Sequence, residues 1–370
     1  MLVVFTLRPL GIPAAMADTS DAVDMAAKAE DVEWCYDIVQ DVSRTFAITV
    51  DVLEEPMSSS ICIGYLLCRI PDTIEDARHI PPETRADLLD VYDEVVSTDS
   101  STTAGAFEDA VVPWIPEDSD ADWELLAQTP RVLRVFESQP VDVREAIRPA
   151  VREMVDGMAT FLRRYADEDG IRIQTREELH EYCHYAAGVV GELVTNLVRD
   201  EELPAASRNR LTETADSFGH ALQLVNVAKD VGEDYREEDN VYLPVRELAT
   251  AGVAVEDLGD PDTVEGVVTV VERTIEDARG HLDDAQTWLE HVPERAGNRV
   301  AAWSIPYLLA VATLREIESR PADVLRTDGV KVDRSEVGAV IEATVGGLEE
   351  MSLGELRREI AAEPLTPAKS

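Results

Sequence analysis

Lysine is nearly absent from this chain: Lys28, Lys229, Lys331 and Lys369 are the only ones among 33 basic residues, against 75 aspartates and glutamates. The formal charge of -42 repels phosphate backbones, so no nucleic-acid partner is expected. Self-repulsion on that scale keeps a protein dissolved, but it loosens the compact state when salt is too dilute to screen it. Such acid-rich, lysine-poor usage looks halophilic, and it describes a habitat rather than an activity.

Cysteine is scarce as well, and Cys35, Cys62, Cys68 and Cys183 form no CxxC pair that would suggest a thiolate metal site or a redox couple. A chain of 370 residues with 45% hydrophobic content can bury a core without disulfides, so these four read as buried thiols. No apolar run reaches the roughly 18 residues that would span a bilayer. That leaves a cytoplasmic protein, with peripheral contact to membrane lipid as the only membrane association open to it. The apolar start MLVVFTLRPLGIPAAMA lacks a positive cluster and is interrupted by Pro9 and Pro13, a poor match to a signal peptide; Met16 is an alternative start.

Strand-like alternation is also rare, and helical periodicity recurs in its place. Over Asp21–Val50, for example, Val23, Ala26, Ala27, Val32, Tyr36, Ile38 and Val39 suit one amphipathic helix. The fold class read from this pattern is all-α: a poorly ordered extension over 1–20, one large helical domain over 21–350 and a tail over 351–370, with a monomer expected. Residues 97–122 combine small polar residues, prolines and acids and read as a long surface connection. A second break over 251–263 precedes helical spacing from Val264 to Val292. No repeat of fixed period is present.

Three segments carry candidate chemistry. In CRIPDTIEDA, Asp72 and Asp76 are four apart, so a helix puts both carboxylates on one face with Arg69 and Tyr65 a turn or two before them. Oxygen-only ligands at that spacing suit magnesium, which keeps several waters and accepts carboxylates together with phosphate oxygens. Alone, such a pair is the ordinary solvated face of an acidic helix. The second segment repeats the arrangement: Gln223, Asn226, Asp230 and Asp234 share a face, with Glu233 beside them. Two uncharged amides inside an apolar run are costly to bury unless hydrogen-bonded, so they suggest a polar cavity, or else satisfied core amides. The third segment, EYCHYAAGVVGELVTNL, spends two glycines within a helical pattern, which points either to close helix packing or to room for a long apolar ligand. Its ExxH pairs, Glu177 with His180 and Glu181 with His184, overlap on one helix and lack the second helix that a carboxylate-bridged di-iron site needs; solvated or capped histidines fit better.

In order along the chain, SRTF at 43–46, DTIED at 72–76, YCHYAAGVVG at 182–191 and QLVNVAKDVGED at 223–234 resemble the signature segments of the squalene/phytoene synthase family. YLLCRIPDTIED, WSIPYLLAVATL at 303–314 and GVKVDRSEV at 329–337 lean toward its squalene-forming branch, and DVGED and VYLP toward its phytoene-forming branch. The resemblance implies a single helical domain of the isoprenoid synthase type with a central cavity, across which the two aspartate motifs face each other over bound diphosphates and Mg2+. It implies metal ligation by Asp72, Glu75, Asp76, Asp230, Glu233 and Asp234. Substrate contacts would come from Ser43, Arg44, Phe46, Arg69, Gln223, Asn226 and Lys229, and catalytic help from Tyr182 beside the four aspartates. The implied activity is that of a transferase joining two farnesyl diphosphates head to head through presqualene diphosphate, with reduction by NADPH to squalene. Lys331 is the candidate cofactor contact, and Asp333 stands where relatives carry a base.

Water must be kept from a carbocation, so Phe46, Leu193, Ile305 and Leu308 are candidates for a dry pocket wall. Two alternatives remain: a phytoene synthase, which joins two geranylgeranyl diphosphates without a reductant, and a non-catalytic helical scaffold, which would be expected to have lost its carboxylates. Lys229 and Asn240 depart from the arginines usual at these positions, and Pro71 should kink the first aspartate helix by clashing with the Leu67 carbonyl.

Overall fold

Hydroxyl and carboxylate side chains at the edges of the apolar runs fix where helices begin. Ser43, Thr103, Asp120 and Thr175 each accept a hydrogen bond from the backbone N–H three residues on, and Ser352 forms a reciprocal capping box with Glu355. The computed structural model describes residues 19–99, 101–168, 170–199, 203–293, 298–327, 329–347 and 351–366. Most of the expected N-terminal extension lies outside them.

The helices are α1 (Thr19–Val42), α2 (Arg44–Val52), α3 (Met57–Glu75), α4 (Pro82–Val96), α5 (Ala104–Val111), α6 (Ala121–Ala127), α7 (Thr129–Ser138), α8 (Val141–Arg164), α9 (Arg176–Cys183), α10 (Val189–Val198), α11 (Ala205–Glu213), α12 (Ala215–Lys229), α13 (Val231–Glu233), α14 (Val245–Thr250), α15 (Val264–His291), α16 (Arg299–Ser319), α17 (Arg334–Gly347) and α18 (Leu353–Ala362). Among the described residues there is no strand, only an isolated bridge between Arg172 and Val241, so the chain is all-α as expected. One hydrophobic core runs through the bundle. Within it α12 packs against α10, α15 and α16, while α3 packs against α8, which also meets α10. This arrangement holds the two aspartate helices on opposite sides of a central gap.

Several expectations need correction. The single helix over Asp21–Val50 breaks at Ser43, whose extended backbone (φ -157°) and capping hydroxyl start α2 afresh. The connection over 97–122 contains α5, because Phe107 and Val111 find a core to enter; each is worth roughly 1.5–3 kcal/mol when fully buried. The tail is α18, docked on α16 through buried Leu353, Leu356 and Ile360 and tied by Arg315 Nη1 donating to the Ile360 carbonyl at 2.7 Å.

α16 is long and apolar enough to cross a bilayer, contrary to the reading that no segment is. Two thirds of that stretch is buried, and α2, α12, α15, α17 and α18 cover it. α3 runs on through Pro71: the Leu67 carbonyl that the proline deprives of its partner accepts a hydrogen bond from Tyr92 Oη at 2.8 Å. The glycines of the third segment serve packing. A Cβ at Gly191 would strike the Ala215 carbonyl, and one at Gly188 would strike the Asp216 carboxylate. The four cysteines are buried free thiols, as expected.

Candidate active site

Helical spacing in α3 and α12 delivers acids from both sides to one cavity of about 350 Å³. Asp72, Glu75 and Asp76 come from the last turn of α3 and its C-cap. Asp230 comes from the C-cap of α12, and Asp234 from the wide turn over Asp234–Glu238 that follows α13. Gln223, Asn226 and Lys229 from α12, Arg69 from α3 and Tyr182 from α9 complete most of the wall. Asn226 is exposed and Gln223 half-buried, and both line the cavity, as the polar-cavity reading expected and the core-amide alternative did not. Glu233 does not line this cavity. Its carboxylate faces the Gly329 turn, and Glu238, which spacing did not suggest, stands in the cavity wall. A five-residue i→i+5 turn carries Glu238 there, an irregularity that a 3.6-residue template cannot anticipate.

Burial, helped by neighbouring carboxylates, raises Asp72, Glu75, Asp76, Asp234 and Glu238 above their ordinary range. Withdrawal from bulk water lifts Asp72 to about 6 against the pull of Arg69, and it lifts Asp76 to about 7 with Asp72 adding to the effect. Glu238 rises to about 7 and Asp234 to about 9, each by desolvation and then by neighbouring carboxylates. Glu75 is pushed well up by burial, and its Oε1 has no hydrogen-bond partner. Oxygen donors from two helices, one of them an orphaned buried carboxylate oxygen, are a donor set that a hard divalent cation such as Mg2+ fits.

These shifts carry a sign. A carboxyl whose folded pKa exceeds its unfolded value leaves the unfolded chain with fewer bound protons, so stability falls as pH rises. The metal-free protein is therefore expected to weaken from the ordinary carboxylate range up through about 9, where Asp234 titrates. Saturating Mg2+ should flatten that slope, which denaturant melts across the pH range will read.

The cationic wall is preset. Arg69 Nε and Nη2 donate to the two oxygens of Asp122 at 2.7 and 2.9 Å, a fork that fixes the guanidinium 3.8 Å from Asp72. Lys229 Nζ donates to Asp230. Asp122 was invisible to spacing because it sits 53 residues away, in the segment read as a connection. Tyr182 is buried, stacks on Tyr242 with ring centroids 4.7 Å apart and donates from Oη to Tyr242 Oη at 3.2 Å. Burial keeps both phenols protonated. Asn240 donates to Tyr242 Oη at 3.0 Å and accepts from the Ile171 N–H at 2.9 Å, so this departure from arginine is a buried strut.

A second cavity of about 590 Å³ adjoins the first, sharing Asn226 and Lys229 in its wall. Its lining is largely apolar: Phe46 stacked on Tyr65 at 4.0 Å, Leu222 and Val225 from α12, and Pro306, Leu309 and Ala310 from α16. Ser43 and Lys331 also line it, whereas the Arg44 side chain lies outside the described residues. Of the four expected wall residues only Phe46 is there. Leu193, Ile305 and Leu308 are core, because the face of α16 that meets the cavity is one step further round, at Pro306, Leu309 and Ala310. Gly329, at φ +53° and close to the Lys229 carbonyl, makes the turn that brings Val330, Lys331 and Val332 to this cavity. Asp333 is exposed and accepts from the Ser335 N–H at 2.8 Å at the start of α17.

The ExxH residues do not converge on a di-iron arrangement. Glu177 is exposed, Glu181 pairs with Arg164, and both histidines are half-buried in contacts of their own rather than solvated.

Comparison with known proteins agrees with this geometry. The family profile described as squalene/phytoene synthase matches residues 39–336. The squalene synthase of Schizosaccharomyces pombe is 26% identical over 313 residues, covering 84% of this chain and 65% of that protein. The Botryococcus squalene synthase of Botryococcus braunii is 28% identical over 252 residues, covering 68% of this chain and 50% of the other. The chain thus spans less than two thirds of the length of these curated relatives. The solved complex of TcSQS with the ligand E5700 superposes with a TM-score of 0.71 at 25% identity, covering 90% of this chain and 98% of that one.

Proposed function

Because the chain belongs to the squalene/phytoene synthase family, we propose that it joins two farnesyl diphosphates head to head, through presqualene diphosphate, and reduces the product to squalene. The observation that carries this reading is the pairing of two chambers: acids from α3 and α12 face each other in one, and Asn226 and Lys229 open it to an apolar neighbour. A diphosphate needs the first and a prenyl chain the second.

Asp72, Glu75, Asp76, Asp230, Asp234 and Glu238 are the residues that would hold Mg2+, with Glu233 at the edge of the group. Mg2+ when bound neutralises the diphosphate leaving group. Arg69 and Lys229 add positive charge where the leaving diphosphate gathers negative charge, and Asp122 keeps Arg69 from having to reorganise as it does so. Phe46, Leu222, Val225, Leu309 and Ala310 hold the chains and exclude water from the allylic cation. Ser43, Gln223 and Asn226 offer hydrogen bonds at the boundary between the two environments. NADPH supplies the hydride of the second half-reaction, and exposed Lys331 is the residue we assign to its phosphate.

Tyr182 is assigned to relay the proton lost as the cyclopropane closes: its Oη would take that proton and give its own to the released diphosphate, the base the reaction itself supplies, while Tyr242 orients it. Tyr182→Phe keeps the ring stack and removes only that oxygen. It is expected to lower kcat by about 10²-fold with KM for farnesyl diphosphate little changed, as steady-state kinetics will show.

Product analysis tests the reading as a whole. In high salt with Mg2+ and farnesyl diphosphate, squalene should form only when NADPH is present, and presqualene diphosphate or dehydrosqualene without it. Phytoene from geranylgeranyl diphosphate, with no thirty-carbon product, would move the assignment to the other branch. No product from either substrate would favour the scaffold.

A further inference from the structure

Four of the chain's six histidines gather away from the carboxylate cavity, where α9, α12 and α15 meet. Three of them, His180 on α9, His220 on α12 and His281 on α15, each offer a ring nitrogen, and these three atoms lie within 4.8 Å of one another. His180 Nδ1 and His220 Nε2 are 2.8 Å apart, and the rings of His220 and His281 are stacked at 4.2 Å.

We propose that His180, His220 and His281 form a binding site for a divalent transition-metal ion, Zn2+ in the first instance, that braces α9, α12 and α15 together. The donor chemistry selects the ion. Three imidazoles suit zinc and its late-transition neighbours, whereas magnesium prefers oxygen and the carboxylate cavity.

The outer contacts have the pattern of a metal site. A metal-bound histidine ordinarily donates its second ring nitrogen to a carboxylate, carbonyl or hydroxyl, which fixes the ring and its tautomer. Two of the three rings have such a hydrogen-bond partner, and the third faces a carboxylate at ion-pair distance. His220 Nδ1 lies 3.2 Å from Asp216 Oδ2, His180 Nε2 lies 3.6 Å from Asp277 Oδ2, and His281 Nδ1 lies 3.4 Å from Ser217 Oγ. Asp216 is itself held by His184 Nδ1 at 2.6 Å, and Asp277 by Arg176 Nη1 at 2.6 Å. That leaves His180 Nδ1 and His220 Nε2 pointing at each other, and the remaining His281 nitrogen is the ligand atom its own outer contact leaves over.

Burial keeps two of these rings neutral: His180 is lowered, and His281 falls to about 4. A neutral imidazole is the form that ligates. His220 is buried while His180 and His281 are half-exposed, so an ion has a way in and water can complete its shell. With Zn–N bonds of about 2.0–2.1 Å, tetrahedral nitrogens stand about 3.3 Å apart, so His180 and His220 separate by about half an ångström and His281, now stacked on His220, turns its lone pair toward the ion.

The test uses the full chain without a histidine tag, stripped of metal and then saturated with Mg2+ to occupy the carboxylates. Zn2+ titrated calorimetrically should bind at one equivalent, and Co2+ should give visible d–d absorption that Zn2+ then bleaches. His281→Asn, at the more exposed ring, and His220→Gln should each weaken Zn2+ binding at least 100-fold, with circular dichroism confirming the fold. If His220→Gln does not fold, the wild-type Co2+ spectrum and His281→Asn still decide. Absence of a magnesium-insensitive zinc equivalent in the folded wild type would overturn the proposal, as would unchanged zinc affinity in folded His281→Asn.

Discussion

Asp72→Asn and Asp230→Asn are each expected to lower turnover by about 10²–10³-fold or more while leaving the metal-free fold at least as stable as the wild type. Asparagine has the size of aspartate, so neither change opens a cavity, and each removes one anionic oxygen from a set gathered by two different helices. The loss falls on the step in which negative charge moves onto the leaving diphosphate, where preorganised countercharge acts most strongly. Stability should move the other way. Asp72 is one of the charges that pushes Asp76 up to about 7, and removing it relieves repulsion inside the cavity. Arg69 keeps its place in either variant because its forked partner is Asp122. Product formation at saturating Mg2+ and thermal melts without it measure the two effects separately. Near-normal turnover in either variant would sink the assignment of these carboxylates, and a large drop in melting temperature would show that the residues serve the fold instead.

That opposition between function and stability explains why the acidic motifs were legible in sequence and much around them was not. Helical spacing is a local property, so Asp72 with Asp76, and Gln223, Asn226, Asp230 and Asp234, could be placed on faces from their intervals alone, and those six line one cavity. Residues that arrive by chain reversal leave no local trace. Asp122 reaches Arg69 from a segment whose composition suggested a surface connection, and Tyr242 reaches Tyr182 from across an isolated bridge. Glu238 joined the wall unannounced because one wide turn shifts the register after Asp234. The apolar chamber was missed by one helical step, since a helix as apolar as α16 offers no polar face from which to tell its cavity side from its core side.

The histidines illustrate a different limit. Spacing argued against a di-iron bundle, but it could not show that His180 would meet His220 and His281, which are 40 and about 100 residues further along. Only the crossing of α9, α12 and α15 assembles them.

Ala310→Phe is expected to abolish coupling of farnesyl diphosphate through a purely steric route, with the metal ligands untouched. Ala310 sits on the face of α16 that lines the apolar chamber with Leu309 and Thr313, and Phe46 and Val225 belong to the same wall. A phenyl ring there projects into the space required by a prenyl chain and displaces its reactive end; a misplacement of about 1 Å is enough to cost roughly 10²-fold in rate. Ala310→Leu adds less volume and should give an intermediate loss. Phe46→Ala has the opposite expected effect: it removes a ring stacked on Tyr65, enlarges the chamber and shifts the preference toward geranylgeranyl diphosphate. Comparing kcat/KM for the two diphosphates across the three variants, with thermal melts as a control, separates chamber volume from folding. Full activity of a folded Ala310→Phe enzyme would show that the chains bind elsewhere, and the two-chamber reading would then fail even if the carboxylates proved essential.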